Sequence, residues 1–243
     1  MRCATIIFCL ILAGSTLQAQ FGASIKYQTN SFDKWDDFLA EESGASDKII
    51  GSSYEFGLNY WFRLKNQRIE FLPEIYYAKR ITDHRALPTT LQESNWTSAG
   101  FNMNVHIYPL DFFNDCNCPT FSKDGNTISK GFYWILSPGI SLNQKKTIYE
   151  RPTGSVGGTD NRQWNAQFGF GAGLDIGVAD IFTISPFVMY RLGFGHEWND
   201  LYIALDRAEV STLDTNTTLK QLNFGLRLMF RPDYVKQNRG FRR

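Results

Sequence analysis

Thr97-Ser98-Ala99-Gly100-Phe101-Asn102-Met103-Asn104-Val105-His106-Ile107-Tyr108 sets Ala99, Phe101, Met103, Val105 and Ile107 on one face of an extended chain and Gly100, Asn102, Asn104 and His106 on the other. A period of two is the period of β-strand, and no soluble helix is patterned this way. Seven more segments carry the same alternation. They lie near Phe21 to Asn30, Ser52 to Arg63, Arg68 to Arg80, Phe132 to Asn143, Trp164 to Gly177, Phe182 to Phe194 and Lys220 to Arg231. In Trp164 to Gly177 the apolar face holds Ala166, Phe168, Phe170, Ala172, Leu174 and Ile176, and the other holds Gln167, Gly169, Gly171, Gly173, Asp175 and Gly177. The segment Arg68 to Arg80 is less clean, because Leu72 and Tyr76 share the face of Glu70 and Glu74.

The connections predict an arrangement. Long stretches follow the first, third, fifth and seventh segments: Ser31 to Gly51, Ile81 to Trp96, Gln144 to Gln163 and Gly195 to Leu219. Short turns, Leu64 to Gln67 and Val178 to Ile181, follow the second and sixth. Long connections at one end and short ones at the other are the layout of an outer-membrane barrel with both termini in the periplasm. Pro109 to Lys130 departs from it by being long. The fold class expected is all-β: an eight-stranded antiparallel up-and-down transmembrane β-barrel.

Alternation alone does not say which face points outward, since a soluble lipocalin-like barrel reverses the faces. The glycines decide. Gly169, Gly171, Gly173 and Gly177 share a face with Gln167 and Asp175, and Gly57, Gly100 and Gly225 also lie on polar faces. A narrow lumen needs small residues beside its charged ones, whereas glycine on a solvated strand weakens it for no gain. The polar face is therefore expected inside and the apolar face in hydrocarbon. The apolar face carries aromatics near its ends, among them Tyr54, Tyr60, Phe62, Tyr77, Phe132, Trp134 and Tyr190, as rings at lipid headgroups would be placed. Pro73, Pro138 and Pro186 recur a few residues into alternate strands, and without an amide proton they are expected at strand starts or bulges near the rim.

Composition fits one domain of this kind. The 243 residues are 43% hydrophobic and 15% aromatic, and 25 basic against 24 acidic side chains leave a net charge of +1, so no basic footprint for nucleic acid exists. Mean hydropathy is −0.29, and past the N-terminus no apolar run approaches the length of a membrane helix. Arg2, the apolar run Ile6 to Ala13 and the small and polar stretch Gly14 to Ala19 have the layout of a secretory signal peptide cleaved after Ala19. Residues 1–19 are thus expected to leave, 20–231 to form the barrel and 232–243 to be a polar periplasmic tail. Cys3 and Cys9 leave with the signal, and the remaining Cys116 and Cys118 form either a local disulfide or a turn with two thiols. No cofactor or metal is expected.

The last strand resembles the assembly signal of outer-membrane barrels, a polar residue, a glycine two positions on and apolar residues ending in an aromatic. Here these are Asn223, Gly225, Leu228 and Phe230, with a polar tail following the aromatic. Together with Ile107-Tyr108-Pro109-Leu110-Asp111-Phe112 leading into Asp115-Cys116-Asn117-Cys118-Pro119-Thr120-Phe121, the whole mature chain resembles the small outer-membrane β-barrel proteins of Bacteroidota, the PorT-like and OmpX-like barrels. The resemblance implies the outer membrane of a Gram-negative bacterium as location, and outer-membrane lipid and the barrel assembly machinery as partners. Its PorT-like members imply an accessory role in protein secretion, with secretion-system proteins as partners.

By parity the inward charges are Lys26, Glu55, Arg63, Glu70, Glu74, Asp175, Arg191 and Arg227, with His106 among them. In a lumen of this width ions must pair, and a neutralising network that plugs the barrel is expected. Catalysis would need a nucleophile, a histidine and an acid at one rim. Only His84, His106 and His196 exist, and His84 and His196 fall in separate outer loops, where solvation is the ordinary state. An acyl hydrolase or acyltransferase is the rival reading, and a non-enzymatic envelope protein, structural or surface-interacting, is the expected one. The outer loops interleave Trp35, Phe38, Trp96, Trp198 and Tyr202 with polar residues. Trp35, Phe38 and Leu39 have helical spacing within Lys34 to Glu42, so a short amphipathic cap is expected there. These rings pack against one another, rest in the outer leaflet or recognise a ligand.

Overall fold

A computed structural model describes residues 20–44, 48–64, 67–85, 90–112, 127–150, 154–179, 182–198 and 216–230. The expected signal peptide 1–19, Cys116 and Cys118, the expected tail 232–243 and Tyr202 lie outside the described residues. Eight strands form one closed antiparallel sheet. They are β1 (Phe21–Phe32), β2 (Ser53–Tyr60, resumed at Phe62–Arg63), β3 (Ile69–Asp83), β4 (Leu91–Ile107), β5 (Phe132–Glu150), β6 (Val156–Leu174, resumed at Ile176–Ala179), β7 (Phe182–His196) and β8 (Thr217–Phe230). Each pairs with its neighbours in chain order, and β1 pairs with β8 along its whole length, from Phe21 opposite Phe230 to Phe32 opposite Leu219. Closure leaves the barrel without a first or last edge. Both described termini lie at one end, the terminal end; the opposite rim is the loop end.

The facing is the one that the glycines predict. Ile25, Phe56, Phe101, Phe168 and Leu226 are exposed on the outside, while Lys26, Glu55, Asn102, Gln167 and Arg227 are buried within. The outward apolar band from Phe132 to Leu142, at about 3.3 Å per residue and a tilt of roughly 40°, is roughly 25 Å tall, the height of a membrane-spanning barrel's apolar belt. At its loop end the band stops on one rung, where Lys79, Thr97, Gln144 and Arg162 stand in register on four successive strands. At its terminal end rings touch along the rim: Phe21 with Tyr60 at 5.7 Å between ring centres, Phe62 with Phe71 at 5.2 Å, and Phe182 with Phe230 at 5.4 Å.

Three strands are longer than expected. β4 begins at Leu91 rather than Thr97, β5 runs to Glu150 rather than Asn143, and β6 begins at Val156 rather than Trp164. The connections β3–β4 and β5–β6 therefore shrink to residues 84–90 and 151–155. The cause is physical: the ladder is held by main-chain groups and continues past the apolar band, where both faces meet water or polar groups and the alternation fades.

The three prolines sit inside strands, not at their starts, and each lies opposite a gap in the ladder to the preceding strand. Pro73 faces the break around Trp61 in β2. Pro138 faces Met103 and Asn104 of β4, which pair with β3 but not with β5, and Pro186 faces the break at Asp175 in β6. A residue without an N–H cannot serve that side of the ladder, so one feature repeats in three hairpins. The inward glycines stand where bulky side chains cross the lumen, and most of these are rings rather than charges. A Cβ on Gly173 would lie 2.4 Å from the Tyr133 ring and one on Gly225 2.2 Å from the Phe187 ring; only Gly57 makes its room for a carboxylate, Glu74. Gly177, past the break, is exposed.

Candidate functional site

The lumen is filled by its own side chains, and its polar centre is one connected network. Lys26, on β1, bridges two carboxylates, Glu55 on β2 at 2.6 Å and Glu74 on β3 at 2.7 Å. Arg191 on β7 reaches across the barrel and grips Glu55 with two donors, at 2.7 and 3.2 Å. Gln28 donates to Glu55 at 2.6 Å, and Ser24 and Asn104 donate to Glu74 at 2.5 and 3.1 Å. Five strands thus meet at two acids, and each acid has the several donors that burial of an ion requires.

The other predicted charges form two smaller groups toward the terminal end. The Tyr108 hydroxyl lies 2.9 Å from Glu70 and 2.6 Å from Asp175; Glu70 also accepts the Trp61 indole N–H at 2.5 Å, and Ser185 donates to Asp175. Arg227 reaches His106 Nε2 at 2.9 Å and lies over the Phe187 ring, while the His106 ring stacks on Tyr133 at 4.1 Å. Arg63 stands opposite Glu70 in the ladder, and its side chain lies outside the described residues. Of the last-strand residues, Asn223 points inward and accepts from Gln28 at 2.8 Å, Gly225 lies beneath the Phe187 ring, and Leu228 and Phe230 face outward.

Parity reasoning missed three buried cations. Arg68 pairs with Asp111 and stacks on the Tyr108 ring, and Arg80 donates to Ser53 at 2.6 Å and Gln28 at 2.5 Å. Both share the face of Glu70 and Glu74, so the signal was present at the ends of their segment. Lys145 was out of reach, because its stretch reads as a loop; it lies on the inner face of β5 and donates to Gln163 at 3.1 Å and to the Glu197 carbonyl.

At the loop end a helix closes the mouth. The helix α1 (Asp33–Ser43) covers the expected cap and ends on Gly44, whose left-handed backbone (φ 67°) lets its N–H return to the Ala40 carbonyl. The Asp36 carboxylate accepts the Phe32 N–H at 2.9 Å, as an acid in the first helical turn does in a capping box, and also the Ile49 N–H at 3.1 Å. Burial raises the Asp36 carboxyl above its ordinary value, and the two amides oppose the rise. α1 presses Trp35 and Leu39 into a cluster with Phe32, Ile49, Trp96 and Trp198. Trp35 stacks on Phe32 at 4.4 Å and meets Trp198 edge-on at 5.4 Å. Of the rings expected in the loops, Trp35, Phe38, Trp96 and Trp198 therefore pack against one another.

Both loop-end histidines depart from the expectation that they are solvated. His84 is fully buried with Nε2 3.2 Å from the Ile49 carbonyl. His196, the last residue of β7 rather than part of a loop, is wedged between Phe32 and Trp96, at 5.8 and 5.3 Å between ring centres. The folded cap buries residues that chain position assigns to loops.

Comparison with known proteins returns no matching family model and no matching curated protein. Solved structures do match. Neisserial surface protein A is 11% identical over 88% of this chain and 97% of its own, with a TM-score of 0.44. Ail, the attachment invasion locus protein of Yersinia pestis, is 12% identical over 88% of this chain and all of its own, also at 0.44. The outer membrane enzyme PagL is 10% identical over 85% and 97%, at 0.36. Nothing about residues or role follows from likeness at this level.

Proposed function

We propose that this chain is a sealed, non-enzymatic β-barrel of the bacterial outer membrane, with its termini in the periplasm and its capped loop end at the cell surface as a rigid surface for interaction. The observation that carries this reading is the filled lumen: a cross-barrel ion network closed at the loop end by α1 and its tryptophans. Eight strands enclose only enough room for side chains, and here those side chains pair with one another instead of lining a water path. The outward apolar belt supplies the membrane. Asn223, Gly225, Leu228 and Phe230 on the closing strand are what the assembly machinery would receive.

A hydrolase needs a histidine beside a nucleophile and an acid. His84 Nε2 is instead at the Ile49 carbonyl, and His196 is held between rings, so the geometry supports binding or structure over catalysis. An accessory role in export, as in the PorT-like Bacteroidota barrels, would draw on the stretch 109–130. Its described parts, the turn Pro109–Asp111 and the helix α2 (Thr127–Gly131), expose Leu110 and Ile128 at the terminal end. Deleting residues 113–126 and measuring the exported proteins tests that role; an unchanged set argues against it.

Conductance tests the sealed lumen. The refolded protein in a planar lipid bilayer should pass no steady ion current, and removal of α1 alone should open none, because the Lys26–Glu55–Arg191 network lies beneath it. A stable open channel in the intact protein would overturn the reading.

A further inference from the structure

Beneath α1 two buried cations have only neutral acceptors among the described residues: Ser53 and Gln28 for Arg80, Gln163 and the Glu197 carbonyl for Lys145. Arg80, Trp96 and Lys145 stand in direct register on β3, β4 and β5, all pointing inward, so the indole of Trp96 lies between two cations. The Arg80 guanidinium is 6.0 Å from the Trp96 ring centre, and the Lys145 ammonium is 5.2 Å from it and 5.1 Å from Trp35. Neither cation forms a salt bridge with a carboxylate among the described residues, although both are almost wholly buried; Glu197 acts on Lys145 and Glu55 on Arg80 only from beyond ion-pair distance. Both oxygens of Glu55, the acid that acts on Arg80, are taken by Lys26, Gln28 and Arg191.

The unsatisfied polar atoms of this region agree in kind. Arg80 Nη1, Ser94 Oγ, His196 Nδ1 and Trp198 Nε1 are buried and have no hydrogen-bond partner among the described residues. Each is a donor or can carry a proton; Trp198 belongs to the ring cluster, Arg80 and His196 lie beside Trp96, and Ser94 stands two residues from Trp96 on the same inward face. Buried unsatisfied donors beside cations that lack a bonded counter-charge are costly unless an acceptor-rich anion joins them.

The wall beside Lys145 is also weaker than elsewhere. The main-chain ladder between β6 and β7 stops at Gln167 opposite Gly193. Above that point, β7 turns away at Gly195 (φ 66°), and side-chain amides replace the ladder. Asn165 donates to the carbonyls of Phe194 and Gly195, at 3.0 and 2.8 Å, and Gln163 donates to Gly195 at 2.6 Å. Gln163 is also a ligand of Lys145, so the staple and the cation are one unit. Arg162 and Trp164 stand exposed outside the same seam, at the rung where the apolar band ends.

From these observations we infer that the polar cluster beneath α1 is a binding site for a phosphate group, which enters as the side chains there part and is held by Arg80 and Lys145 with donors from Ser94, His196 and Trp198. The phosphate is either free or the headgroup of a lipid entering through the β6–β7 seam. The site holds its own reporters, Trp35, Trp96 and Trp198. The test is calorimetric titration of the full barrel in non-ionic micelles, together with tryptophan emission, using inorganic phosphate in one arm and dihexanoyl phosphatidic acid in the other. Saturable binding with a matching change in emission is expected in at least one arm; binding of the lipid alone assigns the headgroup, and binding of inorganic phosphate assigns the free ion. Arg80→Gln and Lys145→Gln should each weaken it at least tenfold, whereas Lys146→Gln, one residue along and facing outward, should leave it unchanged. Trp198→Phe, which removes one donor and keeps an aromatic ring, should weaken it severalfold even where a charge variant fails to fold. Absence of saturable binding in both arms, or equal loss from Lys145→Gln and Lys146→Gln, overturns the inference.

Discussion

Replacing Glu55 with glutamine tests whether the barrel's interior is a dry, mutually dependent network. Glu55 is 1% exposed and binds Lys26 at 2.6 Å and Arg191 at 2.7 Å. At an effective dielectric constant of about 20, each such contact is worth roughly 6 kcal/mol of gross attraction, offset by the desolvation of the ions. Glu55→Gln leaves Lys26 with Glu74 but takes from Arg191 the only carboxylate that it grips among the described residues, stranding a buried guanidinium. Removing one member of a buried pair costs about 3–5 kcal/mol, against a domain's total of about 5–15 kcal/mol. At an m value of about 2–3 kcal/mol/M, the urea midpoint should fall by roughly 1–2 M, read by tryptophan emission and by the change in gel mobility on boiling. The double variant Lys26→Met with Glu74→Gln removes one cation and one anion and leaves the Glu55–Arg191 pair whole. It should recover to within about 1 kcal/mol of the parent, while Lys26→Met alone should not, since it sets two buried carboxylates side by side. A cost below about 1 kcal/mol for Glu55→Gln would mean that water reaches these ions, and the sealed-lumen reasoning would fail.

Gly225→Ala should destabilise the barrel by about 1–3 kcal/mol, because its Cβ would lie 2.2 Å from the Phe187 ring; Phe187→Leu in the same background should return part of the loss, as denaturant titration of the two variants can check. Cysteines placed at Phe101, Phe168 or Leu226 and labelled with a bilayer-sensitive fluorophore should be quenched from within the hydrocarbon, and cysteines at the neighbouring inward positions Asn102 and Arg227 should not. The reverse pattern would turn the barrel inside out.

The order of eight strands, their antiparallel pairing, the inward polar face and most of the ion network were legible in the sequence, because side chains on a strand alternate strictly and hydrocarbon outside enforces that alternation over the whole belt. Lys26, Glu55, Glu74 and Arg191 were found by parity alone. Parity states which residues share a lumen, but it does not say which of them meet. That Arg191 of β7 grips Glu55 of β2, across the barrel, follows from shear and closure, which only the folded ring defines. The reach of β4, β5 and β6 beyond the band was hidden, since main-chain pairing leaves no trace in the side chains once both faces are polar. His84, His196 and Lys145 show the same limit at the mouth. Their positions in the chain read as solvated loop, and it is α1 with Trp35, folding over the rim, that takes them out of water. Local alternation determined the wall of this protein, and contacts between residues distant in the chain decided what the wall encloses.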